Sequence, residues 1–442
     1  MKWFHKIYLT NFFFYILAGI VGGFVLAFIF PAMYNAMWFL LYIYMAFALI
    51  DILLVFATGN INANRTTPEK FSNGDENAMI VTVNNNYSFN IRIRIIDEVP
   101  FQFQLRDFTI DRTLDAGKTI ATEYTLRPVE RGGYHFGKLN VYATSPLRLV
   151  SRRFVFDEGR MVPTYPSYLQ LKKYGLIAFS NRLFKHGLKK IRRLGHTMEF
   201  EQIKDYTRGD DLRTINWNAT ARRNKLMVNQ FQDERSQNIY MAIDKGRMMK
   251  MPFGGLSLLD YAINASLVLS DIVLKKGDKA GLFAFSKQIT NRVAAERRQA
   301  QMQKIMESLY NVSTDYFESD YGRLYADIKR NITQRSLILL YTNFETLDGL
   351  HRQLPYLKGI AKSHLLVVIF FDNTELNTFI KQKAATVQEI YDKAVAEKFA
   401  YEKRLIVSEL SKYGIHPILT QPENLTIDTI NKYLEIKSRG MI

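Results

Sequence analysis

Side chains that commonly carry chemistry are sparse in this 442-residue chain. Seven histidines, scattered from His5 to His416, include no pair at metal-ligand spacing. Cysteine is absent, which excludes disulfides and thiolate zinc or redox sites and fits a reducing compartment. No Gly-x-Ser-x-Gly elbow, Walker A loop or His-Glu-x-x-His pair occurs, and spacing nominates no nucleophile–base pair. The chain is therefore expected not to be an enzyme. Two places still concentrate reactive or charged groups. Residues 181–235 interleave both signs of charge with large aromatics. They open with Lys185, Lys189, Lys190, Arg192 and Arg193, then run Glu199-Phe200, Tyr206, Arg208-Gly209-Asp210-Asp211-Leu212-Arg213, Ile215-Asn216-Trp217 and Ala221-Arg222. Such a stretch suits an ion-paired structural network, its Gly-Asp pair fitting a tight turn, with a docking surface as the functional alternative. The Arg208-Gly209-Asp210 adhesion-like tripeptide is taken as chance. The second place is Asp244, in Asp244-Lys245-Gly246-Arg247-Met248 at the end of an apolar run.

The elements that must position these groups follow from periodicity. From Asn238 onward, continuous apolar runs predict strands buried on both faces: Ile239–Ile243, Ala280–Phe285, Ser336–Tyr341, Leu365–Phe370 and His416–Leu419. Helical spacing falls between them, over Leu258–Leu274, Arg298–Leu309, Gly322–Ile332, Leu350–Lys362 and Val387–Lys412, and Asp428–Ile436 closes the chain. Lys275-Lys276-Gly277 supplies a basic last turn and a glycine stop. This alternation implies a doubly wound parallel sheet, whose ligands bind beyond the carboxyl ends of the strands. Asp244 and Thr342-Asn343 fall there.

Residues 59–168 read differently. Short runs with period two, such as Met79–Val83, Phe89–Ile95, Thr119–Leu126, Lys138–Tyr142 and Leu147–Val155, alternate with turn signals and predict an antiparallel sandwich. No catalytic cluster lies within it.

The N-terminus carries an anchor. The 44 positions from Ile7 to Ile50 hold no charged residue. As helix they would span roughly 66 Å, which suits two crossings of a hydrocarbon core about 30 Å thick. Pro31, with Tyr34, Asn35 and Trp38 after it, marks an interfacial turn. Lys2 and Lys6 precede the pair, and Arg65 and Lys70 follow it, so both flanks are expected in the cytoplasm. Asp51 is expected at headgroup depth or in a helix–helix contact. The net charge of +17 fits an anionic membrane surface nearby, and no nucleic-acid motif accompanies it. The expected organisation is multidomain: a transmembrane hairpin over 1–58, a β-sandwich-like domain over 59–168, a basic connector over 169–237 and an α/β domain over 238–442.

The segment from Glu199 to Arg222 resembles the signature of domain-of-unknown-function family fifty-eight, DUF58. The match is carried by Glu199-Phe200, Tyr206, Gly209-Asp210-Asp211, Arg213, Ile215, Trp217 and Ala221-Arg222, with Arg131-Gly132-Gly133-Tyr134 and Ser145-Pro146-Leu147 before it. Lys204 and Asn216 depart mildly, standing where Arg and Asp are usual. The resemblance implies a bacterial membrane protein associated with MoxR-type AAA+ ATPases, whose last domain is like the von Willebrand factor A fold. In that fold an Asp-x-Ser-x-Ser motif, a threonine and a later aspartate bind Mg²⁺. By this resemblance Asp244, Thr314 (with Ser319 as the alternative) and Asn343 are the candidate metal positions. Gly246 and Met248 replace both serines, and Mg²⁺ wants about six oxygens, so no cofactor is expected.

The expected function is that of a two-pass, non-enzymatic adaptor of the cytoplasmic membrane. Its A-like domain would dock a protein partner, a MoxR-type ATPase being the candidate, while lipid holds the helices. The alternatives are a degenerate metal-dependent binding module and a cryptic envelope hydrolase.

Overall fold

The computed structural model describes residues 6–57, 59–106, 108–156, 159–171, 174, 198–207, 210, 212–233, 236–298, 300–384 and 386–441. They form two compact units, with the boundary between Tyr165 and Pro166.

In the first unit, helices Asn11–Ile29 and Tyr34–Ala57 form an apolar pair, each long and apolar enough to cross a membrane. Thr10 caps the first helix by accepting from the Phe13 N–H at 3.3 Å. Pro31 opens the one-turn helix Pro31–Met33 between them, at a position whose N–H would have no helical partner anyway. The apolar run is not helical from its start. Ile7–Leu9 is a strand, paired antiparallel with Val150–Phe156, and the helix begins only after the Thr10 cap.

Asp51 binds the β region rather than the first helix, which corrects the expectation of a helix–helix contact. It is fully buried on the second helix, yet its carboxylate reaches the β region. It accepts from the Leu149 and Val150 N–H groups at 3.0 and 2.8 Å, and from the Ser145 hydroxyl.

The β region is a sandwich. Its larger sheet runs Ile7–Leu9, Val150–Phe156, Leu139–Thr144, Ile91–Asp97 and Thr109–Leu114 in spatial order. It faces a sheet of Ile61–Thr66, Asn77–Asn85 and Thr119–Leu126. Inward residues of both, including Ile61, Val81, Val83, Ile91, Ile93, Ile95 and Val141, share one core. Within it Arg65 and Asp97 form a fully buried pair, N–O 2.5 Å, and the Tyr124 hydroxyl also donates to Asp97. A smaller sheet of Phe71–Ser72, Met161–Tyr165 and Gly132–His135 completes the unit.

In the second unit the main sheet has six strands, in the order Ile289–Glu296, Lys279–Phe285, Asn238–Asp244, Leu337–Tyr341, Leu365–Phe371 and His416–Thr420. Five are parallel, and the edge strand Ile289–Glu296 is antiparallel. Separate cores lie on its two faces. Leu258–Lys275, Gln301–Tyr310 and Leu425–Ser438 cover one, while Tyr321–Asn331, Leu347–Ser363 and Val387–Lys412 cover the other. The predicted strands and helices reappear with ends shifted by a few residues. The antiparallel edge strand went unread, because its alternation is half polar and half exposed. Within the basic connector, Met198–Asp205 and Met227–Asp233 pair antiparallel, with a bulge between Phe200 and Gln202.

Candidate functional site

The strand order reverses beside Asn238–Asp244, which places the crevice typical of doubly wound sheets at the carboxyl end of that strand. Asp244 is the last residue of the strand and is 3% exposed. Four neutral donors converge on it. Oδ1 accepts from the Gly246 N–H at 2.9 Å and from the Ser319 hydroxyl. Oδ2 accepts from the Thr342 hydroxyl at 2.7 Å and from the Tyr321 hydroxyl at 3.3 Å. Burial pushes the Asp244 carboxyl above its ordinary range, against the pull of the Ser319, Gly246, Thr342 and Tyr321 bonds.

Of the alternatives for the hydroxyl position, Ser319 meets Asp244. Thr314 instead donates to the Lys245 carbonyl at 2.9 Å, and so fastens the loop beside it. Asn343 also turns elsewhere, its Oδ1 accepting from Lys403 Nζ at 2.8 Å. The donor set does not fit a resident Mg²⁺. It offers one carboxylate whose two oxygens already accept four bonds, and three hydroxyls, those of Ser319, Thr342 and Tyr321, against about six oxygens in octahedral array. Gly246 explains the lost serine. A Cβ there would overlap Ser319 Oγ and stand 2.9 Å from the Phe317 carbonyl oxygen. Among the described residues, no group of three or more His, Cys, Asp or Glu side chains is placed to hold a metal ion.

The loop over Asp244 is tied on several sides. Phe317 O accepts from the Arg247 N–H at 3.0 Å, and the Asp320 N–H donates to Ser286 O at 2.9 Å. Asp315 pairs with Lys245 at 3.2 Å and accepts from the Ser286 hydroxyl. Burial works to raise the Asp315 carboxyl, but the bonds from Ser286 and Lys245 hold it below its ordinary value. Tyr316, at the tip, has φ +61°, a left-handed conformation that a bulky residue adopts only when its surroundings impose it. Tyr316 is 60% exposed and Phe317 is 55% exposed. Lys250 sits 3.8 Å from the Tyr316 ring centroid, a cation–π contact.

A cavity of about 480 Å³ lies at the same end of the sheet. Its apolar walls include Met251, Phe253, Phe371 and Phe399, and its polar groups include Asn343, Glu345, Asp372 and Lys403. Lys403 is buried, and its Nζ donates to Asn343 Oδ1 and to the Phe371 carbonyl at 3.0 Å. Burial pushes its ammonium down to about 8, against the opposing pull of Glu345 and Asp372. Sequence reasoning missed this residue. It lies on a helix some 60 positions from Asn343, and nothing in the local pattern of Val387–Lys412 distinguishes it from the lysines around it.

Among the described residues of the signature segment, Trp217 is an exposed aromatic on an otherwise hydrogen-bonded stretch. Asp210 accepts from the Thr207 N–H and hydroxyl at 2.9 and 2.8 Å and from Lys204 Nζ at 3.0 Å; these bonds, the Thr207 ones first, bring its carboxyl down to about 2. Asn216 caps the short helix Trp217–Arg223, its Oδ1 accepting from the Ala219 N–H at 3.0 Å. Asp and Asn are both good caps, which accounts for the mild departure there. Trp217 is 69% exposed, and Leu212 and Arg222 are exposed too, while Tyr206 is half-buried. Glu199 and Phe200 lie on the hairpin and Arg213 on the single turn Leu212–Thr214, but their side chains are outside the described residues, as are Arg208, Gly209, Asp211 and the basic run from Lys185 to Arg193.

The fold and site thus define a chain with two apolar N-terminal helices, a mainly β unit and a mixed α/β unit whose sheet-end crevice is closed by hydroxyls. Residues 202–378 match the family model described as "Protein of unknown function DUF58", which bears out the resemblance over that segment. The chain is 25% identical over 271 residues to "Uncharacterized protein YeaD" of Bacillus subtilis (strain 168). That alignment covers 57% of this chain and 63%, less than two thirds, of the relative. Among solved structures, the ASH/PapD-like domain of human CEP192 is 10% identical with a TM-score of 0.20, covering 25% of this chain and 88% of its own. The CARDB domain of the PF1109 protein from Pyrococcus furiosus is 10% identical with a TM-score of 0.18, covering 25% and 97%.

Proposed function

We propose that this protein is a membrane-anchored, non-enzymatic adaptor whose α/β unit, taken to be of the von Willebrand factor A kind that the sequence resemblance implies, docks a protein partner at the carboxyl end of its sheet. The observation that carries the reading is the pair Tyr316 and Phe317. Two large aromatics stand exposed on a loop that is hydrogen-bonded on several sides and holds one of them at positive φ. Rigid exposed aromatics lose little entropy on binding and are the commonest anchors of protein interfaces. The 480 Å³ cavity at the same sheet end offers room for a partner side chain. Trp217 and Leu212 are further exposed apolar side chains within the matched segment.

The two apolar helices support a two-pass anchor. The lysines and arginines at its flanks support a cytoplasmic face for both units, in the inner membrane. The partner that the sequence resemblance offers is a MoxR-type AAA+ ATPase. The test is crosslinking and pull-down of the full chain from native membranes, wild type against Tyr316→Ala/Phe317→Ala. Recovery of an ATPase by the wild type and its loss in the double variant is expected. Equal recovery by both would remove this loop from the interface, and recovery of no ATPase would remove that partner. Reporter fusions at the C-terminus test the orientation, an external signal being the result that overturns it.

A further inference from the structure

The first unit contains a cavity of about 840 Å³ that neither the family match nor the adaptor reading uses. Its position follows from the β ladder and the start of the first apolar helix. Along Ile91–Asp97 the residues alternate, with Ile91, Ile93 and Ile95 in the core and Arg92 and Arg94 on the outer face. Register sets Arg92 beside Thr144 and Arg94 beside Tyr142 on the neighbouring strand. All four line the cavity, together with Arg112, Arg148 and residues 9–12, where the chain passes from strand into the apolar helix. Four arginines face one acidic residue, Asp111. Asp111 binds Arg94 in a fork, at 2.8 and 3.2 Å, and its carbonyl accepts from Arg112 at 3.0 Å. Arg92 and Arg148 have no ion-pair partner among the described residues. Arg148 sits at φ +61°, and its carbonyl accepts from the Thr10 hydroxyl that also caps the helix.

We propose that this cavity binds the head group of an anionic phospholipid. The inference rests on the two helices being membrane spans. Helix Asn11–Ile29 has 19 residues, about 28 Å at 1.5 Å per residue, close to the thickness of a hydrocarbon core. Its first turn therefore lies at the depth of the lipid phosphates, and so does the cavity that residues 9–12 line. Guanidinium groups pair with phosphate oxygens in a planar, two-bond geometry, and basic pockets beside membrane helices take anionic head groups. The volume lies within the range of small-ligand sites, about 300–1,000 Å³. An anionic lipid seated there would fix the depth and rotation of the helix pair.

The experiment uses the full chain reconstituted into vesicles of phosphatidylcholine alone or with phosphatidylglycerol, followed by native mass spectrometry of retained lipid. The wild type should co-float with both vesicles and retain phosphatidylglycerol over phosphatidylcholine. Arg92→Gln/Arg148→Gln should lower that preference about tenfold, two charge-assisted contacts being removed. Arg106→Ala/Arg160→Ala, which removes equal charge outside the cavity, should leave it intact. Co-flotation with no preference in the wild type, or an equal fall in both variants, overturns the site while leaving the membrane reading standing. Failure to float with phosphatidylcholine overturns the membrane reading and the site with it. Displacement of phosphatidylglycerol by equimolar inorganic phosphate would reassign the cavity to free anions and overturn the lipid assignment.

Discussion

The carboxylate of Asp51, on the second apolar helix, accepts the backbone N–H of Val150, at the start of a sandwich strand 99 positions away, at 2.8 Å. The same carboxylate holds the Leu149 N–H and the Ser145 hydroxyl, so one side chain ends a β turn and fixes it to the helix. The strand Ile7–Leu9, which pairs with Val150–Phe156, ties the first helix to the same edge. The helix pair and the sandwich are therefore mechanically one body.

Replacing Asp51 tests this. Asp51→Ala leaves two buried N–H groups and a hydroxyl without an acceptor, a loss of about 2–4 kcal/mol. Asp51→Asn keeps the shape but retains only one acceptor oxygen, and should fall between. Thermal unfolding of the full chain in detergent should rank the three as wild type, Asn, Ala. A wild-type midpoint in the alanine variant would remove the coupling.

At the sheet end, restoring the serine of the metal motif should destabilise the protein. Gly246→Ser puts a Cβ into the place of the Ser319 hydroxyl, and should cost about 1–3 kcal/mol as an overpacking change. Adding Ser319→Gly should recover part of the loss, since the two substitutions share one space. Additive losses in a double-mutant cycle would argue that the clash is not the cause. Millimolar Mg²⁺ or Mn²⁺ should give no heat by calorimetry with the wild type.

Lys403 predicts a pH dependence. Its ammonium is held at about 8 in the fold against 10.5 unfolded, so between those values the unfolded chain binds the extra proton. Stability then rises with pH across that window, and the penalty of burying the charge is complete below pH 8. Lys403→Met lacks this contribution. The difference in midpoint between wild type and variant should shift in favour of the wild type as pH climbs from 8 to 10. A constant difference would mean that the lysine is not buried as a charge.

Asn216→Ala should destabilise by about 0.5–2 kcal/mol through loss of the helix cap, whereas Asn216→Asp keeps the acceptor for the Ala219 N–H, loses the bond that Asn216 Nδ2 donates to Asn229 at 2.9 Å, and should fall between. Proteolysis between Leu212 and Leu226 reports the local change. Equal cleavage of all three proteins would remove the cap from the account.

Much of the architecture is written in local pattern. The buried strands of the parallel sheet, the helix Val387–Lys412 and the strand Thr119–Leu126 come directly from periodicity, because each buries a face whose spacing survives in one dimension. Ile7–Leu9 does not, since three apolar residues before a longer apolar helix have no period of their own.

The sequence by itself determined the two apolar spans, the change from period-two to α/β patterning, the absence of thiol chemistry and the place of Asp244 at a strand end. These depend on composition and spacing, which the chain carries before it folds. Tertiary structure decided which hydroxyl meets Asp244, that Asn343 serves Lys403, that Asp51 belongs to the sandwich turn and that four arginines share a cavity with the start of the first helix. Each of these joins groups tens of residues apart, and a contact of that kind exists only once two elements pack against each other.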